Sequence, residues 1–256
     1  VVVRRTMARD KKMQSLSLTG LFLFSILLSL ALPAGTVSAS NETTSGTITG
    51  TETWAGVHTL TGDVTIAPGA KLIINPGATI EFPNGTHLDV RGSLCAGVAS
   101  CGASSNAGPA MRINLRWSEP INASATGECY GMSYGNQEIW IDDPSCSEGV
   151  LMRSSIDLAE TGLRYVTFDS AWGIPQYVSA VGEFRYGALV LDGASPTLTE
   201  LSFNQINTSS VLTTNLAQPS FNGGDFAVGI DTNTGIVGAA LQIYSSGSSV
   251  SPFSLS

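Results

Sequence analysis

The sequence predicts an all-β fold, a parallel β-helix with projecting loops, behind a removable N-terminal leader. Three observations predict it. Apolar pairs flanking one residue recur every eight positions between Val64 and Val90, a six-residue segment returns 35 residues later, and the 256-residue chain is only 12% charged while holding 28 Gly. Ser and Thr add 56 residues. This composition excludes coiled coils, long solvated helices and basic nucleic-acid modules, which need abundant Lys, Arg and Glu.

Residues 1–39 read as a signal peptide. The chain opens on Val1-Val2-Val3, so the expectation is either that translation begins at Met7 or Met13 or that the reading frame is incomplete or overextended. From Met7 a basic region (Arg9, Lys11, Lys12) precedes an apolar run from Leu16 to Leu32. The breaker Pro33-Ala34-Gly35 follows, and Val37 and Ala39 suit cleavage before Ser40. An uncleaved anchor is the rival reading, because about 17 apolar residues is the lower limit for a span. Export with cleavage is the expectation, which places the protein outside the cell, secreted or on the cell surface. No second run of membrane length follows. Net charge is −8 for the chain, but from Ser40 onward seven basic and 19 acidic residues leave −12. Such a surface repels phosphates and anionic headgroups, so neither nucleic acid nor a membrane surface is an expected partner.

Residues 40–53 (SNETTSGTITGTET) form a polar Ser/Thr-rich linker or a loosely held first strand. Residues 54–94 carry the first coils. The pairs Val64/Ile66, Leu72/Ile74, Ile80/Phe82 and Leu88/Val90 are separated by the turn signals Ala67-Pro68-Gly69, Asn75-Pro76-Gly77 and Pro83-Asn84-Gly85. Alternation of period two marks strands with one buried face, and even spacing keeps that face inward. A meander of hairpins shares this pattern. Pro-Gly corners suit a stacked coil of 24 residues better, with Val64 beneath Leu88.

Residues 95–149 depart from the pattern and read as a disulfide-containing insertion that merges back into the coils near Ile139. Cys95, Cys101, Cys129 and Cys146 are even in number, which in an exported protein implies two disulfides. Of three connectivities, Cys95 with Cys101 and Cys129 with Cys146 is favoured, since sequential pairs close within one irregular segment. A metal site has less support, because no C-x-x-C occurs and His58 and His87 lie elsewhere.

Residues 150–256 read as further coils. Leu163-Arg164-Tyr165-Val166-Thr167-Phe168 is echoed by Leu198-Thr199-Glu200-Leu201-Ser202-Phe203, each followed by a turn former, Asp169 or Asn204. A second motif ends on Asp in Ile139-Trp140-Ile141-Asp142, Leu189-Val190-Leu191-Asp192 and Val228-Gly229-Ile230-Asp231. The intervals exceed one bare coil. Loops are therefore expected around Trp172 to Tyr186 and Thr208 to Gly224, on the side where a solenoid binds its ligands. The final Ser251-Pro252-Phe253-Ser254-Leu255-Ser256 is strand-like and uncapped, the expected sign of a longer repeat protein.

The stretch from Trp54 to Val64, with GAKLIINPGATIEF and Leu88 to Leu94 (LDVRGSL), resembles the opening coil of right-handed parallel β-helix repeat proteins of the pectin-lyase-like superfamily, especially exported archaeal and bacterial surface proteins. Leu189 to Phe203 (LVLDGASPTLTELSF) resembles their internal coils. The resemblance implies a right-handed coil, and it specifies a fold more than a function. Enzymes of the superfamily use calcium-holding acids with a basic proton acceptor, or paired carboxylates. Asp142 and Asp143 are the one adjacent acidic pair, with Arg153 the nearest base downstream. Because successive strand residues face opposite ways, the pair reads more simply as a solvated strand end.

If the Asp-ending motifs stack, Asp142, Asp192 and Asp231 form a column about 4.8 Å per step, which would take a hard cation such as calcium. Asn233 extends the donors of Asp231-Thr232-Asn233-Thr234-Gly235, without the distal Glu of an EF-hand. Asp capping its own turn is the simpler reading, with no cofactor at all. Trp140, Trp172 and Tyr177 are the aromatic candidates for stacking on sugar rings, against the simpler reading of core packing. Asn41, Asn84, Asn122 and Asn207 each open an N-x-Ser/Thr sequon in a segment expected to be a turn, linker or loop. The expected function is a secreted structural or adhesive module that binds extracellular polysaccharide or cell-surface components. A polysaccharide lyase or glycoside hydrolase is the alternative.

Overall fold

A computed structural model describes residues 42–118, 147–179, 181–206, 208–226, 239–244 and 254–255. Among them the regular elements are β-strands and short 3-10 turns. The first nine strands are β1 (Gly46–Ile48), β2 (Thr51–Trp54), β3 (Val57–Thr59), β4 (Val64–Ile66), β5 (Lys71–Ile74), β6 (Thr79–Phe82), β7 (His87–Val90), β8 (Ser93–Ala96) and β9 (Ile113–Trp117). The next five are β10 (Gly149–Arg153), β11 (Gly162–Arg164), β12 (Val166–Asp169), β13 (Ile174–Val178) and β14 (Glu183–Asp192). The last five are β15 (Thr197–Asn204), β16 (Ser209–Thr214), β17 (Ser220–Asp225), β18 (Leu241–Ile243) and β19 (Ser254–Leu255).

These strands form two sheets whose ladders are parallel except at β13. The first sheet runs β1-β4-β7-β10-β14-β16-β18, and the second joins β2-β5-β8-β11-β15 to β15-β12-β9-β6-β3. Pairing with the third strand along the chain is the rule through β9. Val64 pairs with Leu88, as the eight-residue spacing predicts, and Leu88 pairs in turn with Val150. The column continues through Leu189, Val211 and Leu241. Along this column a one-residue slip would turn every apolar side chain outward, so burial fixes the register.

The 35-residue echo also lies in register. Leu163 pairs with Leu198 and Phe168 with Phe203. β15 serves both arms of the second sheet because its middle turns a corner at Glu200, φ 53°. The neighbouring ladder positions, Tyr165 (φ 50°) and Gly223 (φ 70°), share this left-handed conformation. Stacking makes one corner shape repeat, so Tyr165 and Glu200 hold a conformation in which glycine is the more usual residue. Inside, aromatic rings stack along the third column: Phe82 on Trp117 (4.3 Å between centroids), Trp117 with Phe168 (6.4 Å), Phe168 on Phe203 (4.8 Å) and Phe203 on Phe226 (5.4 Å).

The polar stretch before Trp54 takes the strand reading of its two alternatives, from Gly46, because β1 and β2 pair with β4 and β5. Three segments differ in detail from the sequence expectations. The chain re-enters the ladder at Ile113, well before Ile139, since Ile113, Leu115 and Trp117 alternate inward on β9. Thr208 to Gly224 is mostly strand, not loop. β16 is buried along its whole length, its Ser and Thr included. Trp172 to Tyr186 is largely an antiparallel hairpin, in which β13 pairs with the first half of β14.

That region of the first sheet also carries a second apolar layer. Leu151, Val190 and Leu212 point away from the main core, yet are buried together with Ile174, with Tyr244 packed alongside. A corresponding patch on the second sheet, Ile73 with Cys95, is covered by Cys101 and Ala103. The Cys95–Cys101 disulfide, with Cα atoms 5.8 Å apart, closes that cover. Cys129 and Cys146 lie outside the described residues.

Successive turns of chain approach closely at Gly92, where an added Cβ would stand 2.3 Å from the carbonyl oxygens of both Ala67 and Ala70. Backbone cannot yield there as a side chain can. Gly92→Ala is expected to cost at least about 2 kcal/mol in equilibrium unfolding; a variant as stable as the wild type would place the two turns further apart.

Candidate functional site

The densest group of described charges sits on the first sheet, where β7 and β10 end. Asp89 occupies the middle, outward position between the inward Leu88 and Val90, and its side chain is 5% exposed. A carboxylate so enclosed needs compensation. Arg91 donates to Oδ2 from Nε and Nη2, at 2.9 and 2.7 Å, while Arg153 donates from Nε to Oδ1 at 3.1 Å. The ladder pairs Arg153 with Asp192, and its Nη1 lies 3.7 Å from Asp192 Oδ2. Asp192 in turn accepts from the Thr214 hydroxyl and the Asn215 side-chain amide.

Two residues singled out from the sequence, Arg153 and Asp192, are thus brought together, but as counter-charges. The ladder neighbours of Asp192 are Arg153 and Thr214. Its carboxylate is therefore met by a guanidinium and a hydroxyl. Asp142, Asp143, Asp231 and Asn233 lie outside the described residues, as do Trp140, Asn41, Asn122 and Asn207. Among the described residues, no group of three or more His, Cys, Asp or Glu is placed to hold a metal ion. Arg153, between two carboxylates, is an electrostatic strut of this part of the ladder.

Trp172 is 7% exposed, and its backbone ties the hairpin down. Its amide donates to Glu148 Oε2 at 2.9 Å and its carbonyl accepts from the Thr208 hydroxyl at 2.6 Å. Tyr177 on β13 is 59% exposed, near the hairpin end where Val181 is also exposed. Asn84 is exposed in the turn between β6 and β7, and the Thr86 hydroxyl of its sequon donates to the Pro83 carbonyl.

Sequence reasoning missed Asp89, Arg91 and Glu148. Asp89 and Arg91 are two residues apart, but Arg153 and the amides that meet Glu148 come from distant segments, of which spacing along the chain carries no signal. Glu148, 3% exposed, accepts from the amides of Gly85 and Trp172, both at 2.9 Å, and so pins the turn before β7 to the segment before β13. Burial pushes its carboxyl above the ordinary range, with the two amide hydrogen bonds pulling partly back. No family model, no curated protein and no solved structure matches the chain.

Glu148 gives the fold a pH dependence of definite sign. With the folded carboxyl titrating above the ordinary 4.5, its contribution is fully present below 4.5 and is lost as pH rises through the folded value. The stability difference between wild type and Glu148→Gln should therefore move in favour of wild type as pH falls from 7 toward 4.5, read by denaturant titration at each pH. A pH-independent difference would contradict it. Glu148→Ala, which strands two amides, should cost about 2–4 kcal/mol.

Proposed function

We propose that the chain forms a right-handed parallel β-helix, exported from the cell, that acts as a structural or adhesive surface module binding extracellular polysaccharide. The parallel ladders, the register of the apolar columns and the resemblance to exported repeat proteins support the coil. The leader pattern of residues 1–39 and the Cys95–Cys101 disulfide support an oxidising destination. Asn84 is the described sequon best placed to carry a glycan there.

One observation carries the adhesive reading over the enzymatic one. Several of the partly buried charged groups hold the stack together: Asp89 with Arg91 and Arg153, Lys71 with Glu160, His58 with Glu42, and Glu148 with backbone amides. A catalytic carboxylate or base needs a free face toward substrate. Exposed Tyr177 offers an aromatic face of the kind that packs against sugar rings.

A panel of polysaccharides tests this, with retention of the protein and release of reducing ends or unsaturated products measured together. The expected result is retention without product, weakened about tenfold by Tyr177→Ala, the equivalent of 1.4 kcal/mol. Product release would assign a lyase or hydrolase instead, and no retention on any polymer would remove the adhesive function.

A further inference from the structure

In a chain with seven basic residues after the leader, two arginines make no ion pair among the described residues yet are held in place. Arg112 directly precedes β9 and Arg164 ends β11. Both guanidinium carbons lie 5.2 Å from the centroid of the Tyr165 ring. Each is fixed by the backbone: Arg112 Nη1 donates to the Glu200 carbonyl at 3.3 Å, and Arg164 Nε donates to the Ala107 carbonyl at 3.0 Å.

Carbonyl acceptors orient a guanidinium without neutralising it. The nearest candidate counter-charge by ladder position, the Glu200 carboxylate, lies over Gly223, where an added Cβ would meet its oxygen at 2.6 Å. Gly223 is one ladder step further from Tyr165 than Glu200 is. Two positive groups therefore remain uncompensated around one aromatic ring, at a corner whose backbone conformation is fixed by stacking. All three side chains are partly exposed.

We infer that Arg112, Arg164 and Tyr165 form an oxyanion-binding site for an ester group with three free oxygens, a sulfate or phosphate monoester carried on a glycan. A carboxylate presents two oxygens and satisfies one guanidinium fork; two unpaired guanidiniums beside one ring are better served by an anion of three oxygens. The Tyr165 ring, over which both guanidiniums lie, helps hold them beside each other through cation–π contact. The protein's net negative charge does not prevent this, because repulsion from distant carboxylates is screened beyond about 8 Å at physiological salt. The inference rests on the glycan-binding reading and supplies the chemical class of its ligand.

One polymer backbone in four forms tests it: neutral dextran, carboxymethyl dextran, dextran phosphate and dextran sulfate, each titrated against the full chain. The expected result is tighter binding to the two ester forms than to the carboxymethyl form, with the stronger ester identifying the natural group. Arg112→Gln and Arg164→Gln should each weaken ester binding about tenfold. Arg112→Lys should recover only part of the loss, since the charge returns without the fork. Arg116→Gln, whose guanidinium is paired with Asp169, should leave binding unchanged, and circular dichroism should show every variant folded. Equal binding to carboxymethyl dextran, or ester binding indifferent to both glutamine variants, overturns the inference. If another glycan is then still retained, the adhesive function stands without it; if no polymer binds, both fall.

Discussion

In-register stacking of one turn of chain on the next is the constraint on which the rest of the structure depends. A parallel ladder satisfies backbone amides only when each strand finds a neighbour of matching length and alternation. Once Val64 lies under Leu88 and Phe168 under Phe203, the positions before and after them are fixed as well. Corners follow suit, which is why Tyr165, Glu200 and Gly223 share one backbone conformation despite differing side chains. Close approach follows too, and at Gly92 nothing larger than hydrogen fits between successive turns.

The same constraint organises charge. Ladder neighbours stand about 4.8 Å apart, so like charges on one column repel and unlike charges pair. Arg153 opposite Asp192 and Arg116 opposite Asp169 are pairs of the second kind, while Asp89, whose own ladder neighbour is Leu151, reaches Arg153 diagonally. Low charge content is then a consequence of architecture: one face of each strand is interior, and the corners take Gly, Ser and Asn. Where the outer face is apolar, as at Leu151, Val190 and Leu212, the chain folds more of itself over it. Against that background, the unneutralised pair Arg112 and Arg164 stands out as a feature that stability alone does not require.

Much of the ladder was legible in the sequence, because period-two alternation and the 35-residue echo are direct images of stacking. Val64 under Leu88 and Leu163 under Leu198 were readable from spacing alone. β16 was not. Its Ser209-Ser210 and Thr213-Thr214 look like loop, and only burial against β14 makes them strand. β9 was hidden for a different reason, since the loop closed by Cys95–Cys101 interrupts the spacing before Ile113. Of the charged cluster only the Asp89–Arg91 pair, two residues apart, lies within reach of the sequence. Asp89 and Arg153 are 64 residues apart, and only the register brings them within 3.1 Å.

Stacking of ladder neighbours is tested most directly by a double-mutant cycle on Phe168 and Phe203, which lie 35 residues apart in the chain and 4.8 Å apart between ring centroids. Equilibrium unfolding of the wild type, both single alanine variants and the double variant yields their coupling. Direct stacking predicts non-additivity of about 0.5–1.5 kcal/mol. Strict additivity would mean that the two rings do not meet and that the register is wrong.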